Sequence, residues 1–321
     1  MPGSVAIPNV ERRVGGLSGQ PGICELWASC SDSRFGTIST AIIARMSRDA
    51  DRWSRWHAVR DSGGVDEGQV VSARLLRARE ELLSAVEPLD GATLLDVGTG
   101  DGLVGLGALD LVGTRGSVIF SDISAPLLER CREAVDDSSV EVVTARAVLV
   151  FVADKAGAFA AMHRVLRPGG RISLREVVGR LMFPEPPERF WGYDLSSVVE
   201  LCLRVKAAHG ELENPAFRAA MLDFDDRDLV DLARAAGFDR VHVECHIDLE
   251  PGALMPGATL ERLLESAPTS VAPTIGEAVD RALNNLERRE FLTALRYAIH
   301  DGNAIRRTAT ARVVAHKPLE A

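Results

Sequence analysis

The sequence lacks most of the features that would settle its chemistry at a glance. Its 321 residues include only five cysteines, Cys24, Cys30, Cys131, Cys202 and Cys245, with no C-x-x-C pair. Neither a disulfide framework nor a thiolate metal site is implied, and the thiols read as those of a reduced, cytoplasmic protein. No apolar run approaches the length that spans a bilayer, so no membrane partner is expected. Basic residues are also short: 37 Lys and Arg face 46 Asp and Glu, a net charge of −9. That balance argues against nucleic acid and favours a neutral or cationic small molecule. The run Glu287-Arg288-Arg289-Glu290 reads as a solvated helix face. His242, Cys245 and His246 lie close together, but strand alternation puts Val241, Val243, Cys245, Ile247 and Leu249 on one face and His242, Glu244, His246, Asp248 and Glu250 on the other. No metal site is expected there.

What remains is ordinary globular composition, 46% hydrophobic and 26% charged, enough for one large domain. Residues 1–45 are rich in Gly, Ser and Pro and lack periodicity, and Glu11, Arg12 and Arg13 stand where a secretory peptide needs apolar residues. They are expected to be a disordered or wrongly assigned extension, with the structured domain at 46–321. Residues 46–90 read as N-terminal helices, the first carrying Trp53, Trp56 and His57 and the second spanning Gln69 to Val86.

The densest signal is Thr93-Leu94-Leu95-Asp96-Val97-Gly98-Thr99-Gly100-Asp101-Gly102. An apolar strand runs into a turn of alternate glycines, which permit positive φ and close approach of a ligand to the main chain. A helical pattern follows, placing backbone N–H groups at a helix N-terminus. About twenty residues on, a second apolar strand, Ser117 to Ser121, ends at Asp122, the spacing of a ribose-binding acid. Gly100 to Gly105 also satisfies G-x-G-x-x-G, but a carboxylate at Asp96 repels a pyrophosphate and suits a cationic ligand. S-adenosylmethionine is favoured over NAD.

On these residues, and on Leu166-Arg167-Pro168-Gly169-Gly170 leading into Arg171-Ile172-Ser173-Leu174, the chain resembles the class I S-adenosylmethionine-dependent methyltransferases, in their small-molecule branch. The resemblance is close over Leu82 to Glu176 and looser over Phe224 to Leu249 and Arg312 to Lys317. It implies an α/β fold: a doubly wound, Rossmann-like, mostly parallel sheet whose last strand is antiparallel. By position, Asp96, Gly98, Thr99, Gly100 and Gly102 would hold the methionine part of the cofactor and Asp122 the ribose. Ile123 would lie beside the adenine, and Ala145 and Arg146 would line the donor pocket.

The chain departs from that pattern in one place. Between Asp122 and the strand-like run Val140 to Thr144 there is room for one helix and a short turn, hence one crossover rather than two. The family's third strand and its adenine-reading loop are therefore expected to be missing, which leaves strand two as an edge that needs covering.

Residues 183–222 and 252–307 are expected to form helical caps, the latter serving as a cap or a dimer surface. Since ligands sit beyond the carboxyl ends of such sheets, Glu176, Trp191, Tyr193 and Asp194, with His57, are the candidate substrate contacts. No single catalytic residue is singled out, because methyl transfer relies on orientation and desolvation. Three readings stand: a small-molecule methyltransferase, a catalytically degenerate partner or scaffold built on that fold, and a nicotinamide-dependent oxidoreductase.

Overall fold

The computed structural model describes residues 24–30, 37–44, 73–99, 102–121, 137–252, 259–269 and 272–319. Its centre is an eight-stranded sheet in the order β1-β2-β4-β3-β5-β6-β10-β9. The strands are β1 (Cys24–Cys30), β2 (Thr37–Ala44), β3 (Thr93–Val97), β4 (Ser117–Ser121), β5 (Val140–Arg146), β6 (Leu166–Val177), β9 (Asp239–Pro251) and β10 (Ile305–His316). From β2 through β4, β3 and β5 to β6 the neighbours are parallel, while β10 is antiparallel to both β6 and β9. The expected sheet, with its antiparallel closing strand, is thus present.

Period-two alternation divides the core. Leu94, Val118 and Val142 face one side with α1 (Ala73–Ser84) and α2 (Leu103–Val112), whereas Leu95, Val97, Val143, Ala145, Ile172 and Leu174 face the other with α3 (Lys155–Val165) and α6 (Asp226–Ala235). Helices on both faces explain why the central strands are nearly continuous in apolar residues. α6 starts at a capping box between Asp225 and Asp228 and ends before Gly237, whose φ is +95°, as its sequence suggests.

The N-terminal segment departs from expectation. Rather than being wholly disordered, the stretch before residue 45 supplies an antiparallel hairpin, β1 with β2, and β2 pairs in parallel with β4 through Thr37–Ser117, Ile38–Val118 and Ser39–Ile119. The edge expected to lie bare for want of a third strand is therefore filled from the opposite end of the sequence. An unpaired strand edge has a row of backbone groups to satisfy, and it accepts any segment of suitable direction. The expected first helix, opening at Met46 and carrying Trp53, Trp56 and His57, and the crossover of 122–136 lie outside the described residues.

A second apolar cluster stands apart from the sheet. It is built from the hairpin β7 (Arg189–Phe190) and β8 (Tyr193–Asp194) with α4 (Val199–Leu212), α7 (Leu260–Glu265), α8 (Ile275–Ala282) and α9 (Asn285–Asp301). Phe190 meets Phe291 edge to face at 5.4 Å. α5 (Pro215–Leu222) connects α4 to α6. The two cap segments thus form one body, rooted on the sheet where Val178 N–H donates to Ala309 O and Ile305 N–H to Gly192 O.

Candidate active site

The glycine turn sits where β3 ends. Gly98 has φ +63°, and a Cβ there would lie 2.4 Å from Val148 Cγ2. Gly102 is left-handed at φ +87° and caps α2. Thr99 N–H donates to Ser121 O and Gly102 N–H to Thr99 O, both at 2.8 Å, so the turn is tied to the end of β4 and closed on itself. Gly105 is also constrained: a Cβ would fall 2.4 Å from Phe120 Cε1. Only glycine allows β3, β4 and α2 to converge this closely.

Asp96 works from beneath this turn. It is buried, one carboxylate oxygen accepting from Gly105 N–H at 2.9 Å and the other from the Thr144 hydroxyl at 2.8 Å. It thereby satisfies a first-turn N–H of α2 and pins the helix to β5. Burial raises its pKa to about 6, opposed by its hydrogen bonds and more weakly by Arg146. Expected as a charge facing the ligand, Asp96 also organises the turn through these two hydrogen bonds.

The second wall is the turn after β5. Ala147 takes φ +55° and donates its N–H to Arg175 O at 2.9 Å. Glu176, fully buried, accepts from Val148 N–H at 2.9 and 3.2 Å and from Leu149 N–H at 2.9 Å. Its pKa is raised to about 7 by burial, against the pull of these amides. Behind it Lys155, 5% exposed, donates to Val152 O and Ala220 O at 2.9 Å each and pairs with Asp223 at 2.6 Å. One buried acid and one buried ammonium thus fasten the post-β5 turn to β6 and α5.

Several of the expected contact residues make internal interactions here. Glu176 does not present itself to an acceptor, because its oxygens are spent on backbone amides. Its place on the same face as Ile172 and Leu174 was the sign of burial available in the sequence. The Ala145 side chain points into the core rather than lining a pocket. Tyr193 is buried among the cap residues, and Trp191 packs against the same cluster. Trp191 takes φ +52°, its N–H and that of Gly192 donating to Glu185 at 2.9 Å. Asp194 accepts from Ser196 N–H at 2.9 Å and pairs with Arg189 at 3.6 Å. Trp191 and Tyr193 thus belong to the helical cluster, while Asp194 lines a cavity with Ser196, Arg289 and Tyr297. Arg146 sits at the strand end with partial exposure, while Gly100, Asp122, Ile123 and His57 lie outside the described residues. Sequence reasoning missed Thr144 and Lys155; a threonine and a lysine among apolar neighbours carry no motif.

Residues 69–243, more than half of the chain, match the family described as methyltransferase domain. The chain belongs to the class I S-adenosylmethionine-dependent methyltransferases. The nocamycin O-methyltransferase of Saccharothrix syringae is 30% identical over 221 residues, covering 62% of this chain and 74% of that one. The arsenite methyltransferase of Halobacterium salinarum is 32% identical over 115 residues, but the match covers only 30% of this chain and 29% of that protein. Among solved structures, phosphoethanolamine N-methyltransferase 2 of Haemonchus contortus with S-adenosyl-L-methionine is 16% identical, with a TM-score of 0.40 over 84% of this chain and 57% of that one. The methyltransferase uses S-adenosylmethionine, and the nicotinamide reading falls with the family assignment. The residues present fit the cofactor: the positive φ of Gly98 and Gly102 and the crowding at Gly98 keep side chains out of the turn. No helix among the described residues is long and apolar enough to cross a membrane.

Proposed function

We propose that the protein methylates an oxygen atom of a small-molecule acceptor held between the glycine turn and the helical cap. The observation that carries this reading is the cap. The chain leaving β6 at the crevice, residues 178–198, joins α4 and α7–α9 in a core of its own, anchored by Arg307 Nε to Leu181 O at 2.9 Å. A roof rooted on the strand ends can enclose a small ligand and exclude water from it. The similarity to an O-methyltransferase over most of its length supports oxygen as the accepting atom.

S-adenosylmethionine supplies an electrophilic methyl group; the rest is the work of the chain. In this reading Gly98, Thr99, Gly100 and Gly102, with Asp96 beneath them, hold the methionine part and Asp122 the ribose, with Ile123 and the turn after Arg146 at its side. The cap would orient the acceptor hydroxyl toward the methyl group; transfer would form the C–O bond as the sulfonium C–S bond breaks, releasing S-adenosylhomocysteine and passing the hydroxyl proton to solvent. The degenerate reading rested on a missing third strand and its adenine-reading loop; β2 fills the place beside β4, and the match to the methyltransferase family supports the active reading. A thiol-captured metalloid is less well supported, since Cys202 lies in the cap core and Cys245 on β9. Both are free thiols, in keeping with a cytoplasmic setting.

The test is transfer from methyl-labelled S-adenosylmethionine into a fractionated small-molecule extract, with calorimetry of S-adenosylhomocysteine alongside. Label in low-mass, base-stable ether products is expected. Label confined to macromolecules would overturn the acceptor class, and absence of S-adenosylhomocysteine binding would overturn the activity.

A further inference from the structure

β9 is the outer strand of the sheet, and among the described residues only β10 pairs with it. Thirteen residues long, it leaves an open edge of the kind that proteins cover or pair. Its far half carries Ile247 and Leu249, 47% and 63% exposed, although they lie on the apolar face of the strand. α6 packs on β9, where Val241 and Val243 belong to the core beneath it. The apolar stripe therefore continues past its own cover.

The sequence of this edge is self-complementary. Consider two copies of β9 laid antiparallel about a two-fold axis through Cys245. His242 then faces the partner's Asp248, and Glu244, which already pairs with His242, His246 and Arg312 of its own chain, faces the partner's His246. Each of these two pairs joins a basic residue to an acid, while Arg240, at φ +45° beside the register break of β9 on β10, lies outside the regular alternation. On the other face Val243 meets the partner's Ile247, and Leu249 reaches the partner's strand near Val241, which covers the two exposed side chains. A register slip of two residues removes the match: it sets Glu244 against the partner's Asp248, or His242 against the partner's His246. Directly opposite pairs are the unit of sheet stabilisation, and like charges there are unfavourable. A two-fold axis also uses one patch twice, as an isologous dimer requires.

We propose that the protein forms a homodimer by antiparallel pairing of β9 with the β9 of a second copy, with Cys245 on the axis. This stands independently of the acceptor proposed above. His242 and Asp248 are six residues apart in one strand, about 20 Å, so neither compensates for the other within one chain. In sedimentation velocity at pH 7, His242→Asp is expected to weaken the dimer about tenfold, because each interface contains the altered pair twice. The double change His242→Asp with Asp248→Lys is expected to restore it. Mild oxidation should give a covalent dimer that Cys245→Ser abolishes, since opposed residues on antiparallel strands approach within disulfide reach. Retained S-adenosylhomocysteine binding shows that each variant is folded. A monomer at every concentration overturns the proposal; so does failure of the double change to restore association, or a covalent dimer that persists in Cys245→Ser.

Discussion

Glu176→Gln tests the second wall of the crevice most directly. The wild-type carboxyl group, protonated in the fold below about pH 7, offers two lone-pair oxygens to the amides of Val148 and Leu149 in a site with no solvent exposure. A carboxamide offers one. Its NH2 group must then face a backbone N–H, a buried mismatch costing about 1–3 kcal/mol. The comparison sharpens with pH. Because the folded-state pKa lies at about 7 against an ordinary 4.5, the native state holds a proton that the unfolded chain has released. That contribution is fully present below about pH 4.5 and is lost as pH rises through 7. The loss amounts to about 2–3 kcal/mol between pH 5 and pH 8 at 1.36 kcal/mol per unit. Asp96 titrates in the same sense, but most of its share is lost by about pH 6, so the interval from pH 6 to 8 belongs mainly to Glu176.

Glutamine does not titrate. In urea unfolding at pH 5, 6, 7 and 8, the variant should therefore be less stable than wild type at pH 5 and close most of that gap by pH 8. S-adenosylhomocysteine should bind about tenfold more weakly, the equivalent of 1.4 kcal/mol of loosened turn. Parallel stability curves for the two proteins across this range would refute the reasoning, since they would mean that Glu176 is equally ionised in both states.

Other changes probe the remaining contacts. Gly98→Ala places a Cβ 2.4 Å from Val148 Cγ2 at φ +63°, and calorimetry should show S-adenosylhomocysteine affinity falling at least tenfold while the fold, by circular dichroism, remains. Gly105→Ala forces Phe120 aside from 2.4 Å and should cost about 1–3 kcal/mol in denaturant unfolding, as overpacking does; an unchanged midpoint would contradict the crowding. Lys155→Met orphans the carbonyls of Val152 and Ala220 and is expected to lower stability by about 2–4 kcal/mol, with a lower melting temperature. A chain starting at residue 46 loses β1 and β2 and bares the edge of β4. It should melt earlier and aggregate with concentration, and equal melting and solubility would remove the hairpin from any structural part.

What the sequence made legible and what it did not differ in kind. The parallel core was readable because its strands are short apolar runs between turn signals, and the Asp96 to Gly102 turn because glycine spacing reports backbone conformation directly. Both are local. Charges that act inside the protein are harder to read. Asp96 and Glu176 both stand at strand ends beside the crevice, where an acid suggests a ligand contact. Yet alternation places Glu176 on the inward face with Ile172 and Leu174, and Asp96 is paired across the sheet with Thr144. A carboxylate at such a position serves either a ligand or a neighbouring turn, and residue type does not distinguish the two. The register of the facing strand does.

The edge hairpin shows the same limit at longer range. Strand three was sought between β4 and β5 because connections in such sheets are short and sequential. The place beside β4 is nevertheless open to any segment that runs parallel to it, and Thr37–Ala44 lies more than seventy residues upstream of that edge. Few contacts hold it there: three backbone pairs join β2 to β4, against the seven that join β1 to β2. The hairpin is therefore held more firmly within itself than to the sheet. Its detachment would expose β4 without unfolding the core, so the truncated chain should retain its cofactor turn while losing solubility, and the two effects separate in a single preparation.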